Sequence, residues 1–250
     1  MWNYPLDAVE AMNYMVNMMR EHVPSDTRIH YVITDGGNVP NVVPETAEVY
    51  YYLRTPSAAD LPSLWERLEK TAKAAALGTE TTVDWEIISG VWSVLPNTTL
   101  AKVTHDAMMQ YGGIEYTEEE QLFADTIRTT LKKSAKKRIN SEKIIDPWST
   151  SIYTSSASTD VGDISWNIPT AGFITATWVP GTAPHTWQAV AAGGMSIGHK
   201  GMQLAVKTLA LSAINLYKKP MLIDAAKAEL QKRKGEVKYE PQIGERMPAL

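Results

Sequence analysis

The sequence predicts a mixed α and β chain in two parts: an α+β unit over residues 1–90, then part of an α/β-type layered unit over residues 91–250. Three observations carry that expectation. The first ninety residues switch between helical and strand periods in the order α-β-β-α-β. The pattern changes near residue 90, where two helices and a long polar stretch follow. An apolar run at 171–179 then leads into a glycine-rich helix start.

The first helix is marked by Leu6, Val9, Met12, Val16 and Met19, and it stops at His22-Val23-Pro24. Its methionines are ordinary core filling or an adaptable interface. A strand is expected over Arg28–Thr34, with Ile29, Tyr31 and Ile33 on one face and Arg28, His30 and Val32 on the other. A second runs over Ala47–Arg54, with Val49, Tyr51 and Leu53 inward. A helix follows through Leu61, Leu64, Leu68 and Ala72 to Gly78. A third strand, Thr82–Ser89, alternates Val83, Trp85 and Ile87 against Asp84 and Glu86. A ferredoxin-like split unit reads β-α-β-β-α-β, so this one is expected to lack its first, central strand and to begin at a cut rather than a natural N-terminus.

Further on, helices are expected at Thr98–Tyr111 and Thr117–Lys133, the second opened by a Thr117/Glu120 capping box. Residues 139–165 are polar and aperiodic, and long irregular segments are often functional. A strand at Ala171–Val179 precedes Pro180-Gly181-Thr182-Ala183-Pro184-His185. Gly193, Gly194, Gly198 and Gly201 open a long helix marked by Met202, Val206, Leu209, Ala213 and Leu216. A last helix is expected over Ile223–Lys234.

Composition narrows the chemistry. At 250 residues, 44% hydrophobic and 21% charged, the chain is that of a folded protein. A net charge of −4 leaves no footprint for nucleic acid, and the basic run Lys132–Arg138 reads as a solvated helix end. Without cysteine there are no disulfides, thiolate ligands or thiol nucleophiles. No apolar run has the length of a membrane span, so a cytoplasmic location is expected. Any metal site must use carboxylates and the five histidines.

Three segments could carry chemistry. Asp35 to Pro44 is a long turn stiffened by Pro40 and Pro44, either a rigid connection or a mount that aims Asn41 at a ligand beside Gly37. Ser158-Thr159-Asp160-Val161-Gly162-Asp163 places two carboxylates three apart, for capping, ligation or base chemistry. His185 follows a proline just after an expected strand, where ligands to metals and substrates are often mounted. By spacing alone a lone histidine is more often structural. His199 reads as a packing or capping residue, His22 and His105 as surface residues. His30 shares a face with Arg28 near the Gly-Gly turn.

Taken together, Leu6–Glu10, Ile29–Gly37 with Pro40–Pro44, Ser158–Trp166, His185–Val190 and Ser196–Met202 resemble, in order, the aminobenzoyl-glutamate utilization protein B-like family of the dizinc aminoacylase/carboxypeptidase/amidohydrolase superfamily. That resemblance implies a ferredoxin-like lid, used for dimerisation, inserted into a zinc-peptidase-like α/β/α catalytic domain. It implies two divalent metals, zinc or manganese, a bridging water and a glutamate base, acting on the amide of an N-acyl or aminobenzoyl amino acid. His185 then matches a metal ligand. Asn41, with Gly37, Thr159 and His30 nearby in the matching segments, would contact substrate, and Asp160 would line the active site. The remaining ligands would lie upstream of Met1, so this chain alone is expected to be inactive, working as a homodimer or with a companion subunit. The contrasting expectation is a non-catalytic dimerisation or small-carboxylate-binding protein of the same descent.

Overall fold

A proline at the start of the first helix supplies the fixed φ that a first turn uses and removes an amide that would have no partner there. This helix, α1 (Pro5–Met19), tightens into a short 3-10 turn at Arg20–His22. The computed structural model describes residues 4–131, 148 and 157–243. The chain divides into two units, Met1–Ser93 with Pro241–Leu250, and Val94–Glu240.

In the first unit, β1 (Arg28–Asp35) and β2 (Glu48–Arg54) form an antiparallel hairpin with Ile29 opposite Leu53 and Tyr31 opposite Tyr51. The period-2 pattern sends Ile29, Tyr51 and Leu53 to one face, where α1 and α2 (Leu61–Gly78) meet them. Val16, Met19, Leu64 and Leu68 complete this core. Asn13 is buried in α1 and accepts the Tyr51 hydroxyl, while the Tyr31 and Tyr51 rings sit 5.3 Å apart. Burial, with Tyr31 alongside, pushes the Tyr51 phenol well above its usual range. His30, Val32 and Tyr52 lie on the opposite, exposed face.

The expected strand at Thr82–Ser89 has no assigned ladder; β1–β2 is the only one among the described residues. Alternation sorts side chains between two faces, but a strand also needs a hydrogen-bonding neighbour, which periodicity cannot supply. Trp85 instead lies under the Lys73 ammonium of α2, 5.1 Å from the ring centre.

The second unit is helical: α3 (Thr98–Tyr111), α4 (Glu118–Thr129), α5 (Val161–Ser165), α6 (Trp187–Gly193), α7 (Ser196–Lys218) and α8 (Pro220–Lys234). Helix α3 packs on α7 and α8. The Asn97 side chain caps α3 by accepting from Leu100 N at 3.0 Å and donates to Ala226 O at 2.9 Å. Glu229 of α8 accepts from the Thr98 and Thr99 amides at 2.8 Å, so α8 closes the start of α3 with negative charge. Burial opposes that charge, but those amides, the Thr99 hydroxyl and Arg233 hold the carboxyl down at about 2.

The Thr117/Glu120 capping box forms as expected, although α4 ends at Thr129 rather than Lys133. Buried Glu120 also takes Lys200 Nζ at 2.7 Å. The basic run at 132–138 and most of 139–165 lie outside the described residues. The expected strand at 171–179 is likewise not assigned as one. Its last residue, Val179, is nevertheless buried with Ala124, Ile127, Ala192 and Ile197.

Candidate functional site

His185 is placed by what precedes and follows it. Val179 anchors the preceding segment in the core, and Thr182 N donates to Val179 O at 3.1 Å to start the reversal. Thr186 then caps α6, accepting from Ala189 N and donating to Ala183 O at 2.8 Å. Between these fixed points His185 adopts φ +60, a left-handed conformation uncommon for a residue with a Cβ. Its side chain is exposed. It borders an open depression of about 550 Å³ that is also lined by Trp178, Thr186, Trp187, Ala189 and Val190. The imidazole therefore borders the same depression as two tryptophans, with Thr186, Ala189 and Val190 completing its lining.

Two glycines hold this wall onto α7. A methyl on Gly198 would sit 2.3 Å from Gly193 O, and one on Gly201 would sit 2.2 Å from Ala176 O. The helix therefore crosses the 171–179 segment in backbone contact, which only glycine permits. The glycine-rich stretch is a packing device for the His185 loop.

Thr159 and Asp160 lie at the start of α5, and both are exposed. The Asp160 side chain makes no capping bond; Thr159 Oγ1 accepts from Val161 N at 3.3 Å instead. Asp163 accepts from the Tyr239 hydroxyl at 3.1 Å. Ser165 is buried, accepting from Leu95 N and donating to Gly162 O. Neither Thr159 nor Asp160 borders the His185 depression.

In the first unit Gly37 and Asn41 share the turn between β1 and β2. Gly37 has φ +92, and its amide donates to Asp35 Oδ1 at 3.0 Å. A Cβ there would press on Pro44 at 3.2 Å. Val42 N donates to Val39 O, closing a turn that leaves Asn41 exposed at its tip. His30 sits back along β1 on the outer face, opposite Tyr52. His22 is exposed. His105, expected at the surface, is half-buried, 5.4 Å from the Trp148 ring. His199 sits exposed in the first turn of α7, not packed.

Trp178 is the lining residue that the sequence does not single out. It stands inside a run expected to be a buried strand, while its side chain in fact faces the histidine loop. Strand alternation with Ile174, also exposed, is the signal that could have found it.

The described residues do not by themselves fit a metal. Among them no three histidine, aspartate or glutamate side chains gather as a ligand set. Catalytic zinc normally needs three protein ligands, and the depression offers only His185.

Comparison with known proteins defines the class. Residues 3–80 match the peptidase dimerisation domain, M20_dimer. The chain is 36% identical over 249 residues to one of the subunits of p-aminobenzoyl-glutamate hydrolase from Escherichia coli (strain K12), covering 90% of this chain and 52% of that protein. It is 28% identical to the Xaa-Arg dipeptidase of Mus musculus, covering 91% of this chain and 47% of the relative. The corresponding Xaa-Arg dipeptidase of Homo sapiens is 27% identical, with 95% and 49% covered. Residues 3–80 thus carry a peptidase dimerisation domain, and the chain is similar to about half of each of these hydrolases. It spans about half the length of the curated relatives it matches.

Proposed function

We propose that this chain supplies the lid and the His185-bearing face of a metal-dependent amidohydrolase that cleaves the amide of an N-acyl or aminobenzoyl amino acid. The observation that carries the reading is His185, held at φ +60 beside a depression also lined by Trp178 and Trp187, in a chain similar to hydrolases. The flanking aromatic and apolar side chains suit an aryl or acyl group. In this reading residues 1–90 are a ferredoxin-like lid and 91–250 belong to an α/β/α catalytic domain. His185 is one ligand of a zinc or manganese pair. Asn41, on its proline-stiffened turn with Gly37, contacts the substrate's carboxylate, with Thr159, His30 and Asp160 as further contacts. The lid forms a homodimer, and a companion subunit joins it.

The test is a chimera in which this chain replaces the aligned 249 residues of the Escherichia coli relative. It should hydrolyse p-aminobenzoyl-glutamate and retain zinc or manganese. His185→Ala should lower metal content and cut kcat/KM by about 100-fold or more, while Asn41→Ala should act mainly on KM. Unchanged hydrolysis by the His185→Ala chimera would falsify the assignment.

A second reading has one observation behind it: no ligand set gathers among the described residues, whereas residues 3–80 match a dimerisation domain. A non-catalytic dimer or small-carboxylate binder would bind glutamate derivatives without metal, and Asn41→Ala would abolish the calorimetric signal.

A further inference from the structure

Glu120 is buried in the first turn of α4, and one oxygen of its carboxylate serves two elements. Glu120 Oε2 accepts from Thr117 N at 2.7 Å, which closes the capping box, and from Lys200 Nζ of α7 at 2.7 Å. The Ser196 hydroxyl, at the first position of α7, donates to the same carboxylate. Burial works against the charge, yet Lys200, Ser196 and the Thr117 amide hold the carboxyl below its usual range. Lys200 Nζ donates in turn to Glu115 O at 2.9 Å and lies 5.9 Å from the centre of the Tyr116 ring. A cap does not require this charge. Glutamine at the same position accepts from the N-cap amide as well, and a buried carboxylate is harder to desolvate. What the charge adds is the bond to Lys200.

Lys200 sits where that bond has most leverage. Gly198, two residues earlier, meets Gly193 at the end of α6, and Gly201, one residue later, meets Ala176. A methyl at these glycines would lie 2.3 Å and 2.2 Å from backbone oxygens, so neither crossing has slack. The two crossings hold the stretches of chain that flank His185: 171–179 with Trp178 before it, and α6 with Trp187 after it. A shift of α7 along its axis therefore moves both sides of the depression. Gln188 of α6 also donates to Thr130 Oγ1 at 3.3 Å, so the two ends of α4 support both helices.

We infer that Glu120 and Lys200 are positioning residues for the His185 depression. Their ion pair fixes α7 against α4, and the Gly198 and Gly201 crossings pass that placement to His185, Trp178 and Trp187. The effect on hydrolysis rests on the amidohydrolase reading; the effect on the geometry of the depression does not.

The test uses variants of the full chain followed by amide exchange. Glu120→Gln keeps an acceptor for Thr117 N and removes the charge; Lys200→Met removes the cation at a partly exposed position. Both should speed exchange across α6 by about tenfold or more and leave the rest of α4 within about twofold of wild type. Lys200→Arg should restore the wild-type pattern, and the double variant should be no worse than either single one. Exchange that rises equally in α4 would reduce the pair to a helix cap and overturn the proposal. So would an unchanged α6 in both variants, or additive losses in the double one. If Glu120→Gln does not fold, Lys200→Met and Lys200→Arg decide alone. In the chimera, Glu120→Gln and Lys200→Met should cut kcat/KM by about tenfold or more, with Lys200→Arg recovering it. Full hydrolysis by both variants despite faster α6 exchange would also overturn the positioning role. A parent chimera that hydrolyses nothing, with the exchange pattern as expected, would sink the amidohydrolase reading and leave the placement of the depression standing.

Discussion

His185 carries a conformational cost that its neighbours impose. A residue with a Cβ at φ +60 is disfavoured by about 1 kcal/mol, and glycine is not. His185→Gly should therefore hold or raise thermal stability, by up to about 1 kcal/mol, even as it removes the imidazole. A drop in melting temperature would mean the side chain itself stabilises the loop. Glu229 shows the opposite case, a residue whose charge stabilises the fold. Its folded pKa, about 2, lies below the ordinary 4.5, so its stabilisation is complete above pH 4.5 and is lost as pH falls towards 2. The full effect is about 3 kcal/mol. Urea midpoints measured across that window should fall steeply in the wild type and more shallowly in Glu229→Gln. Parallel curves would remove Glu229 from the account of acid sensitivity.

Elements in the second unit are positioned by their ends and crossings more than by broad apolar faces. Thr117→Ala removes a cap from α4 and should cost about 1 kcal/mol in chemical denaturation. Gly201→Ala forces a methyl against Ala176 O and should cost about 1–3 kcal/mol, loosening the segment that carries Trp178 and His185. Gly78→Ala is the control, since nothing lies within 4 Å of its Cβ position at the end of α2. It should be neutral or slightly stabilising. A gain at both glycines would show that helix propensity, not the crossing, governs the effect.

For the whole molecule, the dimerisation domain over residues 3–80 leads to an expected mass in solution of twice the chain, checked by sedimentation. A monomer at micromolar concentration would remove the dimer from the proposed function. No helix among the described residues is long and apolar enough to cross a membrane.

Much of this was legible in the residues. Helical spacing located α1, α2, α3 and α7, the Thr117/Glu120 pair located the start of α4, and strand alternation correctly assigned Ile29, Tyr51 and Leu53 to the core face. These are local properties, since period and capping act within a few residues of chain. The order of separated motifs likewise led to the hydrolase family before any coordinates. What needed tertiary structure was everything that depends on a second piece of chain. Whether 82–89 and 171–179 become ladder strands depends on a neighbour, and alternation is silent about neighbours. Which face of α7 is buried was decided by backbone contact at Gly201, against the apolar pattern, because small residues allow the closest approach. His185 looked ordinary by spacing. Its φ of +60 and its place in one depression with Trp178 and Trp187 arise only when Val179 is anchored in the core and Thr186 caps α6, and those two constraints meet in space rather than in sequence.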